Sequence, residues 1–174
     1  MIKKQSVIAL GAAVTLSGCA AMYPQSRDAY IDEVANYDGM FKSLALIEST
    51  SVATPFEDAV ANLQSQVGSC ISTDLEEVRV GAHFTAGSTT LERNNVQFNK
   101  VSDERAELTL QQFNNAYWGQ PDGGVYILAA NITRDDEEQT RIDVYTGTNY
   151  RPVYDAIQQW ASGSKACHGI GGKD

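Results

Sequence analysis

The sequence predicts an α+β domain: an antiparallel meander of five to six strands with two helices on one face of the sheet. Two stretches, one opening near Thr54 and one near Pro152, repeat their apolar residues with helical period. Between them, apolar and polar residues alternate with period two, interrupted at turn-forming residues. Consecutive strands need only hairpins to pair, and each amphipathic helix must bury its stripe on the resulting sheet.

Taken in order, Tyr30, Val34 and Tyr37 share one face of a short helical stretch, inside a segment, 19–42, whose expected role is that of a tether. Ser43 to Val52 reads as a strand, with Leu44 and Leu46 alternating against Ala45 and Ile47. Thr54-Pro55-Phe56-Glu57 has the composition of a capping box, with an N-cap threonine, proline at the first helical position and glutamate at the third. Phe56, Val60, Leu63 and Val67 then form one stripe, which Cys70 continues.

Val78, Val80, Ala82 and Phe84 alternate with Arg79, Gly81 and His83 up to a turn at Gly87-Ser88. A second strand runs from Leu91 to Val101 with Val96 and Phe98, and a third sets Ala106, Leu108 and Leu110 opposite Glu107, Thr109 and Gln111. The stretch Asn114 to Gly124 breaks the pattern with Tyr117, Trp118, Pro121 and the turn Asp122-Gly123-Gly124. Val125 to Thr133 is apolar on both alternating faces, as a central strand should be. After the acidic turn Asp135-Asp136-Glu137-Glu138, Thr140 to Thr146 returns as a hairpin partner with Ile142 and Val144 inward. Pro152 opens the last helix, in which Val153, Ile157 and Trp160 share a face and which ends near Gly163.

The N-terminus speaks to location. Lys3 and Lys4 head an apolar run from Val7 to Leu16, followed by small residues, the pattern of a secretory signal peptide over 1–18 and too short for a spanning helix. Leu16-Ser17-Gly18-Cys19 resembles the lipobox of bacterial lipoproteins. That resemblance implies that Cys19 is diacylated on sulfur, becomes the mature N-terminus and is acylated on its amine, so the partner is a membrane reached through a lipid anchor. Ala20, rather than an aspartate, after the cysteine implies by the same resemblance the periplasmic face of the outer membrane. The alternative is an ordinary signal peptide with an incidental cysteine. Residues 43–168 then form a single α+β domain, and 169–174 a flexible tail.

Without residues 1–18 and their two lysines, the 13 Lys+Arg of the chain fall to 11 against 22 Asp+Glu, a formal charge of −11. No run of Lys or Arg occurs, which argues against nucleic acid and against lying flat on an anionic membrane. With Cys19 taken by lipid, Cys70 and Cys167 remain as an even pair in an exported protein, where oxidising conditions favour a disulfide. A metal or redox pair is the competing reading, but no C-x-x-C and no nearby histidine pair supports it. In the proposed fold the two cysteines end the two helices, and a bridge would clamp them.

The order strand, helix, four or five strands, helix on a lipid anchor looks like the helix-grip domain of BamC-like outer-membrane lipoproteins. The ending Ala156-Ile157-Gln158-Gln159-Trp160-Ala161-Ser162-Gly163, then Cys167, is similar to the terminal helix of small lipoproteins of that kind. The topological likeness runs from Ser43 to Cys167. No second BamC-like repeat occurs, so no functional residue is carried across.

Catalytic chemistry is not legible. His83 lies on the polar positions of a strand and His168 in a glycine-rich tail, and neither accompanies a nucleophile motif. G-x-S-x-G, H-E-x-x-H, a P-loop and a dinucleotide fingerprint are all absent from the sequence, and nothing implies a cofactor beyond the covalent lipid. The acids Asp135 to Glu138 lack the spacing of a calcium loop and read as a solvated hairpin tip. Tyr117 and Trp118 are the candidate contact residues, since loop aromatics offer apolar area with polar handles; the other reading is that Trp118 tucks back over the core. The expected function is a non-catalytic module binding an envelope protein, through a sheet face, a strand edge or this loop. The alternative is a carrier or sensor of a small apolar ligand held between helix and sheet.

Overall fold

The period-two segments assemble into one antiparallel sheet. The computed structural model describes residues 22–37, 43–71, 73–74, 76–79 and 89–167. Among them are β1 (Ala45–Val52), β2 (Glu76–Arg79), β3 (Thr89–Lys100), β4 (Arg105–Asn114), β5 (Val125–Arg134) and β6 (Thr140–Gly147), in the order β1-β6-β5-β4-β3-β2. β2 to β6 form the expected meander. β1 joins its far end, with Ala45 opposite Gly147 and Val52 opposite Thr140. β1 and β2 are therefore opposite edges, and α2 (Phe56–Cys70) carries the chain from one to the other. Its 15 residues make about 22 Å of helix, close to the roughly 24 Å spanned by five interstrand spacings.

α2 and α3 (Arg151–Ala161) lie on the same face, as expected of a helix-grip-like α+β fold. Phe56, Leu63, Ile157 and Trp160 are fully buried in one cluster with Leu108, Leu128, Ile132 and Ile142. Trp160 keeps its polar edge satisfied, its Nε1 donating to Ala166 O at 2.7 Å. Cys70, the last residue of α2, and Cys167, beyond α3, are joined by a disulfide with Cα atoms 5.0 Å apart.

The capping box does not form. Pro55, not Thr54, occupies the cap position of α2, without a side-chain hydrogen bond. Both box positions are tied to the sheet: the Thr54 carbonyl accepts from the buried Thr140 hydroxyl on β6 at 2.8 Å, and the Glu57 carboxylate pairs with Lys100 Nζ at 2.8 Å. Sheet contacts thus fix the start of α2 in place of a local cap.

A third helix, α1 (Arg27–Ala35), covers the opposite face of the sheet. Ser26 caps it, accepting from Ala29 N at 3.2 Å. Tyr30 and Val34 are buried against Ala129, beside Ala45, Tyr126 and Tyr145. Part of the stretch expected as a spacer is therefore a docked helix. This explains the two-sided apolarity of β5: Leu128, Ala130 and Ile132 face α2 and α3, whereas Ala129 faces α1. The β4–β5 register slips so that Leu110 opposes Leu128 while Gln111 opposes Tyr126, leaving Ile127 as a bulge residue.

The two ends of the sheet differ in chemistry. One carries the turns with Asp103, Glu104 and Asp135 to Glu138, held together by Arg134 N donating to Glu104 O at 3.0 Å. The other carries the β4–β5 connection, the end of β6 and the start of β1. The expected strand positions Val80 to Phe84, the Gly87-Ser88 turn, both histidines and Cys19 lie outside the described residues.

Candidate functional site

The second end of the sheet gathers tyrosines. α1 brings Tyr30, and the segment just after it Tyr37; β5 brings Tyr126 next to its bulge; and a 3-10 turn (Thr148–Tyr150) between β6 and α3 brings Tyr150. Between them is a half-enclosed cavity of about 240 Å³, whose apolar lining includes Val34, Leu44 and Ile127. Tyr30 stacks on Tyr126 with ring centroids 5.9 Å apart. Tyr37 donates to Glu33 Oε1 at 3.3 Å.

Burial disfavours the phenolates of Tyr30, Tyr37 and Tyr150. Burial raises the Tyr30 pKa well above the ordinary tyrosine value, with Thr146 pulling weakly the other way. Burial also raises Tyr150, helped by the nearby Glu92 carboxylate, and raises Tyr37, helped by Glu33. At neutral pH they offer ring faces and hydroxyl donors, not general bases.

The loop after β4 is held at its base and open at its tip. Gly123 and Gly124 have φ of +89° and +106°, a backbone region that suits glycine. A Cβ on Gly124 would run into the backbone of Gln112 and Phe113. The buried Gln111 side chain donates through Nε2 to Gly124 O at 2.9 Å and Asp122 O at 3.1 Å. Gln120 Nε2 donates to Asn114 O at 2.9 Å. At the tip, Trp118 is 85% exposed and Tyr117 40% exposed, so Trp118 does not fold back over the core. Tyr117 meets Tyr23, ring centroids 6.0 Å apart, and Gln25 Nε2 donates to Gly119 O at 3.2 Å.

Other sequence candidates stand apart from this end. The Cys70–Cys167 bridge belongs to the α2–α3 layer. Asp135 to Glu138 are exposed at the opposite end, Asp135 accepting from Ser51 Oγ at 3.0 Å. A wider open hollow of about 510 Å³ runs beside the outer edge of β1, bounded by Thr50, Ser51, Gln158 and Gln159. Tyr30, Tyr126 and Tyr150 were not singled out as site residues from sequence. A signal for Tyr30 and Tyr126 was present in the Tyr30-Val34-Tyr37 stripe and the two-sided apolarity of β5, but none for Tyr150.

No family model and no curated protein matches this sequence. Among solved structures, a conserved protein from Geobacillus kaustophilus is similar at 13% identity and a TM-score of 0.36, over 68% of this chain and 90% of that one. The hypothetical protein jhp0584 from Helicobacter pylori is similar at 15% identity and 0.34, over 67% and 80%. Norcoclaurine synthase from Thalictrum flavum is similar at 10% identity and 0.28, over 91% and 96%. Likeness at this level assigns neither a family nor a function.

Proposed function

We propose that this chain is a non-catalytic, lipid-anchored envelope protein that binds a small, largely apolar ligand in the tyrosine-lined cavity between α1 and the sheet. The anchor rests on the lipobox-like Leu16-Ser17-Gly18-Cys19. The single observation that carries the binding reading is the contrast between the two faces. Under α2 and α3 the space is filled by Trp160, Phe56, Leu63 and Ile157, whereas the α1 side keeps a cavity of about 240 Å³. The seat is thus between helix and sheet, but the helix is α1.

That volume lies below the range of about 300–1,000 Å³ usual for drug-sized ligands, so the cavity suits a small ligand. Neutral phenols around apolar walls favour a planar or short-chain molecule with one polar group. Ligand-observed NMR of the full chain with indole, p-cresol and hexanoate as probes tests this. Saturable binding of one probe, weakened at least tenfold by Leu44→Trp at the partly exposed cavity wall, is expected. Equal binding by native and variant protein would overturn the reading.

A second reading, a docking module for an envelope protein, is favoured by the outer edge of β1. Among the described residues no strand pairs with that edge, and the open hollow beside it could receive an extended segment. A photo-crosslinker at the exposed Ser49 would capture such a segment in cells; a blank result alongside a working control would exclude it.

A further inference from the structure

We infer that the aromatic surface around Trp118, at this end of the sheet, rests on the bilayer that holds the lipid of Cys19, with Trp118 inserted at the lipid–water interface. This rests on the anchored-lipoprotein reading above. Two segments make the surface, Met22 to Ser26 and Asn114 to Pro121, and neither contains an Asp, Glu, Lys or Arg although a fifth of the chain is charged. They are joined by the Tyr23–Tyr117 ring contact and the Gln25–Gly119 hydrogen bond. Trp118 and Met22 project from it, 85% and 76% exposed.

Chain length brings this surface to the membrane. Only Ala20, Ala21 and Met22 separate Cys19 from Tyr23, so a fully extended link reaches at most roughly 14 Å. Any orientation of the domain therefore keeps Tyr23, and Tyr117 against it, near the lipid headgroups. Charge selects among the orientations left. The opposite end, about 30 Å away along the ten residues of β4, sets Asp103, Glu104 and Asp135 to Glu138 against Lys100, Arg105 and Arg134, an acidic excess that anionic lipid repels. Tryptophan is the side chain that favours the interface, having a large apolar ring and one N–H donor. The tyrosine cavity then opens close to the bilayer, where an apolar ligand is concentrated.

The two tryptophans separate cleanly as reporters, because Trp160 is fully buried while Trp118 is open to solvent. Full-length protein reconstituted in phosphatidylethanolamine–phosphatidylglycerol vesicles should show Trp118 emission shifted to shorter wavelength and quenched by brominated acyl chains. Trp118→Phe should leave only Trp160 emission, unquenched. Lipidated protein that floats with the vesicles but whose Trp118 stays open to aqueous acrylamide would overturn the inference while sparing the anchor. An N-terminal peptide whose mass lacks lipid on Cys19 would overturn both. Trp118 exposed on vesicles but shielded in native envelopes would assign the surface to a protein partner instead.

Discussion

Arg27, the first residue of α1, donates through Nη2 to Asn131 Oδ1 at 2.8 Å, a contact between residues 104 apart in sequence. The same nitrogen reaches Ala130 O at 2.9 Å, and Nη1 lies 3.6 Å from the Glu107 carboxylate. α1 is too short to be stable alone and has only a narrow apolar stripe, so this pin on β5 adds to the packing of Tyr30 and Val34 in holding it down. Hydrogen bonds involving a charged group contribute about 1.5–3 kcal/mol. Arg27→Ala should lower stability by about that amount, speed amide exchange through α1, and weaken probe binding in the cavity. Unchanged exchange in α1 would show that the tyrosines alone dock the helix.

The Cys70–Cys167 bridge closes a loop across most of the domain. Replacing both residues by serine should cost about 2–5 kcal/mol, as removal of a native disulfide generally does. Denaturation with and without reductant checks this: the native protein should lose that stability on reduction, and the double variant should not respond.

Gly119 and Gly124 separate two effects of a side chain. Both have positive φ, but a Cβ at Gly119 has open space whereas one at Gly124 meets the backbone of β4. Gly119→Ala should cost only the conformational penalty, about 1 kcal/mol. Gly124→Ala should cost clearly more and shift the resonances of Gln111, whose side chain binds Gly124 O.

Tyr154 on α3 is pushed up to about 12, first by burial and then by the Glu48 carboxylate beside it. A phenol whose folded pKa stands above its unfolded value of about 10 contributes stability that is complete below about pH 10. That contribution is lost as pH rises from there through about 12. The native protein should weaken steeply over that window, and Tyr154→Phe should flatten the decline in parallel denaturant titrations.

Most of the sheet was legible because its chemistry is local. The alternation of Ala106, Leu108 and Leu110 and the stripe from Phe56 to Cys70 each specify one face of one element. The helix around Tyr30 and Val34 was legible, but its docking on the sheet and the start of α2 were not, because tertiary contacts decide both. Thr54 offers a cap in isolation, but the helix starts one residue later, where the Thr140 hydroxyl holds the Thr54 carbonyl and Lys100 takes Glu57. Within α1 the stripe is only Tyr30 and Val34, too short to distinguish a docked helix from a tether without knowing that Ala129 needed cover. The edge position of β1 was likewise illegible, since pairing Ala45 with Gly147 spans nearly the whole domain. Of the candidate site, Tyr117 and Trp118 could be read from their loop, whereas the cavity tyrosines come from three separate segments that only the fold brings together.

The proposed ligand seat is the cavity between α1 and the sheet. Tyrosine-selective ring labelling of the full chain, titrated with whichever of indole, p-cresol or hexanoate binds, tests it most directly. Shifts are expected at Tyr30, Tyr37, Tyr126 and Tyr150, with little change at Tyr154 on the other face and loss of these shifts in Leu44→Trp. Shifts confined to Tyr154 and the α2–α3 layer, or to Tyr117 at the loop tip, would contradict it.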